Sequence, residues 1–422
     1  MSARSPAAAL PSEYAGGSAA FAERLLNFVL FITVLLSSIA FIEPSPHDVM
    51  MFVLLVACIA ARVRFDRRLT PLLMLTILWL VGGGLSLVQV GDDPKAIQYF
   101  GTSVYLGIAG IIFACLFSDG DMARLATLRR AYLLAAMIAV AAGYIGYFHL
   151  LPGSNIFLDV GNVQAEARVS STFKDPNVFG PFLIYPLLLL MMGILMRGAT
   201  AIGVAATAVL LGGLFLSFSR GAWIHFAVSA SVAVVLLYSA MPGPRMRTRI
   251  VVIGFAVVVA MALLVIALTS IPSIHHMLLE RAKAFEPYDT GPGGRFTLQQ
   301  LALNSILEHG IGLGPFEFAR IYGLQQHEVY MQGFLVYGWL GGTAYLTIVL
   351  VTLLVGLRTV LVPTPWQFYL IAAYAVFVGE ACEGIIIDSD HWRHFFLMLG
   401  LVWGLSVATI NSRRRIGHKH PS

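Results

Sequence analysis

Charged residues and cysteines are both scarce in this 422-residue chain, and each scarcity excludes a class of protein. Only 12% of the residues are charged and 58% are hydrophobic, whereas soluble domains are about 25% charged. The three cysteines, Cys58, Cys115 and Cys382, stand alone within apolar runs, so they predict neither a disulfide framework nor a metal site. The composition excludes an ordinary soluble domain and a disulfide-rich secreted one, and it indicates a membrane protein.

Long apolar runs dominate the chain, and runs of about 20 residues are typical of membrane helices. They predict an all-α, polytopic membrane protein with about 12 transmembrane helices and one large outward loop between helices 9 and 10. No cleavable signal peptide is visible, and the first run is long enough to span the membrane and remain there. The segments are approximately 21–42, 48–62, 70–90, 96–118, 128–148, 177–196, 199–217, 221–239, 249–269, 332–356, 366–386 and 392–410.

Composition also divides the chain into domains. Residues 1–20 are rich in Ala, Ser, Pro and Gly, which predicts a disordered cytoplasmic N-terminus, and residues 411–422 form a basic cytoplasmic tail. Residues 21–410 form the membrane domain. Within it, residues 271–329 are the longest polar interruption, far longer than a connection between two helices requires. We therefore expect the chemistry in this loop.

Basic residues are distributed unevenly between the two sides of the predicted bundle. If the N-terminus is cytoplasmic, 18 of the 27 Lys and Arg residues lie in inward segments, whereas 17 of the 22 acidic residues lie outside them. Cytoplasmic loops of membrane proteins carry an excess of Lys and Arg, so both termini are predicted inside and the long loop outside. The net charge of +5 follows from the same bias and does not indicate a nucleic-acid partner.

Two cations stand at the rim of predicted helices, where charge is costly. Arg220 lies between two apolar segments with no loop around it, and a guanidinium at that depth needs a partner such as a carboxylate or a phosphate. A snorkelling, structural arginine is the alternative. Lys174 precedes Asp175 and Pro176, which predict a capped start for the sixth helix. Capping does not account for the lysine, so both cations are candidates for binding an anionic substrate.

The long loop contains a predicted helix of its own. Residues 291–294 break the chain, residues 297–300 read as a capping box, and apolar side chains continue to about Glu308. Arg295 thus lies at a helix N-terminus, where its charge opposes the helix dipole unless an anion is bound. Arg320 is a further cation of the loop and a further candidate for substrate binding.

His327 closes the loop directly before the tenth helix, with Glu328 beside it. A histidine here could bind a metal, act as a general base or pack at the membrane interface. Imidazole exchanges protons near neutral pH, which suits it for taking a proton from a sugar hydroxyl. His327 and Glu328 are therefore the candidate catalytic residues.

A second polar cluster, Asp388, Asp390, His391 and His394, lies at the start of the twelfth helix. Two carboxylates and two histidines could bind a divalent cation. An aspartate cap followed by an interfacial belt explains them more simply, and we predict no metal. Glu380 and Glu383 lie within the eleventh helix, where ionisable groups are usually paired, and they are candidate partners for the outer arginines.

Taken in order, these pieces resemble the O-antigen ligase and O-antigen polymerase superfamily of bacterial membrane glycosyltransferases. The resemblance covers roughly residues 165–350. It departs from the family at Glu328, where members commonly have asparagine. It rests on the helix entry at 172–177, the turn at 219–222, the large loop with Arg295 and the glycines at 310, 312 and 314, and the His327 element that runs into residues 338–342.

The resemblance implies an inverting, metal-independent glycosyltransferase that uses no cofactor and acts at the periplasmic face of the bacterial inner membrane. Its donor would be a glycan on undecaprenyl diphosphate, and its acceptor lipid A-core or another glycan. By the same resemblance, His327 is the base, and Arg220 and Arg295 hold the diphosphate. We favour a ligase; an O-antigen or exopolysaccharide polymerase is the alternative within the family. A lipid-linked-sugar flippase is the alternative from another class, but its helices would carry charges at mid-membrane depth.

Overall fold

The structure is a computed structural model that describes residues 12–159, 168–268, 270 and 294–417. In this part of the chain, regular structure is helical except for one antiparallel pair of two-residue strands, Leu158–Asp159 and Arg168–Val169. Short 3-10 helices span Arg67–Leu69 and Ser154–Phe157. Helices α1 to α15 are, in order, Ser12–Leu36, Pro46–Ala60, Thr70–Leu87, Pro94–Phe117, Met122–Tyr147, Pro176–Phe182, Ile184–Arg197, Ala201–Leu216, Arg220–Ala240, Pro244–Leu268, Arg295–Glu308, Glu317–Tyr322, Val329–Thr359, Gln367–Glu383 and Arg393–Gly417.

Among the described residues, eight spans are long and apolar enough to cross a membrane, and α2 and α8 are shorter apolar helices. Each of the twelve predicted apolar segments coincides with a helix, the sixth of them with the pair α6 and α7. The chain is therefore an all-α, multi-pass membrane protein, as predicted. The number of crossings stays a prediction, because length and composition select eight of the segments.

Polar contacts gather at the two ends of the bundle. At one end, which we call the tail end, Arg124 pairs with Glu23 and Asp119, and Asn411 donates to Asp66. These residues belong to segments predicted inside or to helix ends beside them. At the opposite end, which we call the loop end, the contacts are Lys174–Glu43, Arg393–Asp48, Tyr99–Asp390 and His327–Asp388.

Helix α6 begins as the sequence predicts. Asp175 caps it by accepting the Asn177 N–H at 2.7 Å, and Pro176 occupies the first helical position. Pro181 lies inside α6, where proline lacks the N–H that a continuous helix needs, and the chain passes into α7 at Leu183. One membrane span, Pro176–Arg197, thus consists of two helices.

The glycine-rich segment after α11 docks into a break in α13. Gly338 has φ 67° and ψ −174°, which interrupts a helix that the sequence predicts as continuous. In an unbroken helix, Trp339 would donate its N–H to the Leu335 carbonyl. Here Trp339 donates to the Gly310 carbonyl at 2.8 Å, and the Leu335 carbonyl accepts the Leu313 N–H at 2.7 Å. The loop therefore satisfies both backbone groups that the break releases, as irregular backbone at a membrane surface requires.

Three expectations about the polar segments need correction or fall outside the described residues. Helix α11 starts at Arg295, with Gly294 as N-cap and no side-chain cap, so the predicted capping box at 297–300 is wrong. Glycine tolerates the N-cap position, and Thr297 lies inside the first turn. Helix α1 begins at Ser12, inside the stretch predicted to be disordered. Residues 271–293 of the predicted loop lie outside the described residues.

Candidate active site at the loop end

His327 occupies a strained turn between α12 and α13. Its φ is 53°, in the left-handed region that few residues other than glycine adopt. The side chain is 51% exposed, and Nδ1 lies 3.6 Å from Asp388 Oδ2. Strained backbone persists where the surrounding structure fixes it, and such residues concentrate at functional sites. The turn presents an accessible imidazole at the end of the bundle where the sequence predicts the chemistry.

Asp388 contacts both the His327 imidazole and the turn that carries it. Its carboxylate accepts the Glu328 backbone N–H and faces the His327 ring. Burial raises the pKa of Asp388, and the contact with His327 opposes that rise. The 3.6 Å separation exceeds a hydrogen bond, as is common at catalytic sites before substrate binds. With Nδ1 turned toward a carboxylate, Nε2 is the nitrogen left to accept a proton.

Glu328 is turned toward α13. It is the N-cap of that helix, and its carboxylate accepts the N–H groups of Tyr330 at 3.1 Å and Met331 at 2.6 Å. Burial raises the pKa of this carboxyl to about 7, and the nearby charge of Asp388 acts in the same direction. Glu328 thus has a local structural task, beside the catalytic one predicted from the sequence.

The C-terminal end of α14 joins the segments that carry Arg220 and His327. The Val329 N–H donates to the carbonyl of residue 384 at 2.9 Å. A Cβ on Gly221 would lie 2.7 Å from Glu383 Oε1. The turn after Arg220 therefore packs against Glu383, the residue directly before 384 in the chain. More than a hundred residues separate Arg220 from His327 along the chain. Helix packing brings both segments to one end of one helix.

Two elements of the family resemblance are in direct contact at the start of α9. Arg220 is the first residue of this helix, and Ser219 caps it by accepting the Ala222 N–H at 3.2 Å. The Ser219 hydroxyl donates to Asn177 Oδ1 at 2.8 Å, and the Arg168 guanidinium donates to the same oxygen at 2.9 Å. The 172–177 entry and the 219–222 turn therefore form one polar corner, with Arg168 as a member that sequence reasoning missed.

The other predicted cations occupy separate places. Arg295 is the first residue of α11, and its side chain lies outside the described part of the structure. Lys174 Nζ lies 2.7 Å from Glu43 Oε1, and both side chains are half-exposed. Arg320 is 75% exposed and forms a two-pronged pair with Glu317. Helix α11 itself is held beside α13 by a small apolar cluster of Leu298, Ala302, Ile306, Phe318 and Leu335.

The four polar residues around the start of α15 do not converge. In the part of the chain that the structure describes, no group of three His, Cys, Asp or Glu side chains is placed to hold a metal ion. Each of the four has its own neighbour instead: Asp388 faces His327, Asp390 accepts the Tyr99 hydroxyl at 2.6 Å, His391 Nε2 contacts the Ser103 hydroxyl at 2.9 Å, and His394 Nε2 lies 3.5 Å from Glu380.

Sequence reasoning missed two partnerships of histidines. It treated Asp388 as a cap or metal ligand, although the structure sets it against His327. It did not single out His225, whose Nδ1 lies 2.7 Å from Glu383 Oε2 with both side chains fully buried. The sequence had suggested an outer arginine as the partner of Glu383. A lone histidine inside an apolar helix was the available signal, since ionisable groups at that depth need partners.

Comparison with known proteins places part of the chain in a family. Residues 205–346 match the family model described as O-antigen ligase. The match contains Arg220, Arg295, His327 and the broken start of α13, and it confirms the resemblance predicted from the sequence. It does not extend to the 172–177 entry. No curated protein matches the chain.

Proposed function

We propose that this chain, whose residues 205–346 carry the O-antigen ligase domain, transfers a glycan from undecaprenyl diphosphate to lipid A-core or a similar acceptor. The reaction would take place at the periplasmic face of the inner membrane, with the loop end facing outward. The observation that carries the proposal is the shared placement of the Arg220 and His327 segments at the C-terminal end of α14. Arg220 would thereby supply an anion-binding group, and His327 a proton acceptor, at one membrane surface.

The proposed step is an inverting displacement. His327 Nε2 takes the proton of the acceptor hydroxyl, and the hydroxyl oxygen forms a bond to the anomeric carbon of the donor sugar. The bond from that carbon to the diphosphate breaks, and its electron pair leaves with the diphosphate. Attack opposite the leaving group inverts the anomeric centre. The proton remains on the imidazole, whose positive charge Asp388 stabilises from the Nδ1 side.

Arg220 and Arg295 are the proposed holders of the diphosphate. Each is the first residue of a helix, α9 and α11 respectively. Backbone N–H groups and the helix dipole favour an anion at such a terminus, and a guanidinium adds paired hydrogen bonds to phosphate oxygens. Together they would stabilise the charge that develops on the leaving group, the task that a metal ion performs in other transferases, so we propose metal-independent transfer.

Lys174, Arg320 and Glu328 have secondary places in the proposal. Lys174 and Arg320 each pair with a glutamate, so each would contact substrate by exchanging that partner. Exchange is inexpensive at an exposed pair, because water solvates both charges when they separate. Glu328 would hold the start of α13, and so the turn of His327, in place.

The glycan profile of a deletion strain tests the proposal and separates its alternatives. Loss of a ligase leaves free lipid-linked polymer and bare lipid core. Loss of a polymerase leaves single repeats on the core. Complementation with Arg220→Lys should fail in either case, since a point charge does not reproduce the two-pronged contact with phosphate. Lipid-linked glycan that accumulates on the cytoplasmic side would instead indicate a flippase and contradict the proposal.

A further inference from the structure

A cavity of about 180 Å³ opens at the loop end, apart from the His327 turn. Neither His327 nor Arg220 lines it. The end of α1, the starts of α2 and α15 and the segment from 173 to 182 surround it. Its walls include the buried side chains of Phe173, Phe182 and Leu397. Among its lining residues, Glu43 and Lys174 are the exposed ones, and they mark its mouth.

The two cations of the cavity differ in how firmly they are held. Arg393 donates from Nε and Nη2 to the two oxygens of Asp48 at 2.7 and 2.8 Å, and both side chains are largely buried. Lys174 has one contact of 2.7 Å to Glu43, at the surface. A half-exposed pair contributes little net free energy, because water compensates both partners when they separate. An incoming anion can therefore replace Glu43 at Lys174, whereas Arg393 stays committed to Asp48.

The interior of the cavity is apolar apart from a few polar groups, among them the rings of three histidines. Burial lowers the pKa of His391, and its Nε2 contacts the Ser103 hydroxyl. His47 directs Nδ1 to the Thr33 carbonyl at 2.8 Å. His394 is buried, and its Nε2 lies 3.5 Å from Glu380, which does not line the cavity.

We propose that this cavity is a lipid-binding site that lies apart from His327 and Arg220 and shares only Lys174 with the contacts proposed for the substrate. One apolar chain of a phosphate-bearing lipid fills the cavity, and its phosphate takes the place of Glu43 at Lys174. The position of the cavity along the helices fits a lipid. Its mouth lies at the ends of membrane-spanning helices, at the depth of lipid phosphates, and the cavity extends toward the middle of those helices. A membrane phospholipid and an isoprenyl phosphate share this chemistry. The inference does not rest on the proposed transfer reaction.

Native mass spectrometry of the purified full-length chain, titrated with phosphatidylglycerol, tests the phosphate contact. Lys174→Ala should weaken binding about twofold to fivefold, the contribution of one half-exposed ion pair. Glu43→Gln should strengthen it, since the competing carboxylate is gone. Lys95→Ala, an exposed lysine at the start of α4 and the same end of the bundle, should change nothing. Diacylglycerol with the same chains lacks the phosphate, so its binding should not respond to Lys174→Ala.

The chain contact is tested by filling the cavity. Val178 is half-buried and lines it, so Val178→Trp should reduce binding of phosphatidylglycerol and of diacylglycerol alike. Competition between phosphatidylglycerol and farnesyl phosphate identifies the preferred source of the chain, and inorganic phosphate alone should compete poorly with either. The proposal is overturned if Lys95→Ala matches Lys174→Ala, if Glu43→Gln weakens binding, or if inorganic phosphate displaces the lipid equally well.

Discussion

Two histidine–carboxylate pairs lie near the C-terminal end of α14, and they differ in separation, in exposure and in the elements that carry them. His327 and Asp388 are 3.6 Å apart, lie on loops, and leave half of the imidazole side chain exposed. His225 and Glu383 are 2.7 Å apart, lie between α9 and α14, and are fully buried. The residue types are matched closely, so the comparison isolates the effect of the surroundings.

In the buried pair, both ring nitrogens of His225 have hydrogen-bond partners. His225 Nε2 donates to the Val376 carbonyl at 3.1 Å, so the short contact between Nδ1 and Glu383 must contain one proton, on either partner. The pair is neutral overall in both cases, which suits the interior of a membrane protein. The His327 side chain, by contrast, is half-exposed, and its Nδ1 faces Asp388. The difference teaches that an accessible ring beside a carboxylate, rather than the pair of residue types, marks the candidate base.

Substitution of the exposed histidine should have the largest effect on transfer. General-base catalysis contributes about 10²–10⁴-fold, so His327→Ala should slow transfer by that factor, roughly 3–5 kcal/mol of barrier, and leave donor binding nearly intact. Transfer and donor binding are measured at matched expression. His309→Ala is the control, since this loop histidine directs Nδ1 to the Ser305 carbonyl. Near wild-type transfer by His327→Ala would place the base elsewhere, with Glu328 the first candidate.

Substitution in the buried pair should act on stability. Glu383→Ala leaves His225 buried without its partner, and removal of one member of a buried pair costs about 3–5 kcal/mol of unfolding free energy. The combined change of His225→Phe and Glu383→Leu, which removes both polar groups, should recover most of that loss. Chemical unfolding in detergent measures both. Equal stability of Glu383→Ala and the wild type would mean that the pair does not hold α9 against α14.

Asp388→Asn sharpens the comparison at the exposed pair. Asparagine can still accept the Glu328 N–H, but it no longer balances an imidazolium, so transfer should fall by less than in His327→Ala. Misplacement of a catalytic group costs up to about 10²-fold, which sets the expected limit. Initial rates with a lipid-linked donor measure the loss. Asp92→Asn, an exposed carboxylate at the same end, should leave the rate unchanged. A wild-type rate for Asp388→Asn would remove Asp388 from the site.

The smallest expected effect is a pH-dependent change in stability at Glu328. Burial raises its pKa from 4.5 to about 7, so between these values the folded state binds more protons than the unfolded chain. Ionisation therefore lowers the stability of the folded wild type as pH rises through this window. Glu328→Gln cannot ionise, and its unfolding temperature relative to wild type should increase from pH 5 to pH 8. A difference that stays flat or decreases would contradict the cause assigned to the shift.

The sequence by itself determined the helices and the class of the protein. A backbone in a membrane must satisfy its polar groups locally, and for apolar runs of spanning length helix is the local solution. Each predicted apolar segment accordingly coincides with a helix, and the Asp175 cap, which depends on two neighbouring residues, lies where it was predicted. Arg295 was likewise predicted at a helix N-terminus. The N-cap of that helix, Gly294, was not predicted.

Only the tertiary structure decided which polar groups meet. Asp388 faces His327 across 61 positions of sequence and Glu383 faces His225 across 158, and no local pattern encodes such distances. The break of α13 at Gly338 has the same origin, because a single glycine in an apolar run is compatible with a continuous helix until another segment offers hydrogen bonds to the freed groups. Local chemistry therefore fixes where helices form, and packing between distant helices fixes which histidine is buried and which remains exposed.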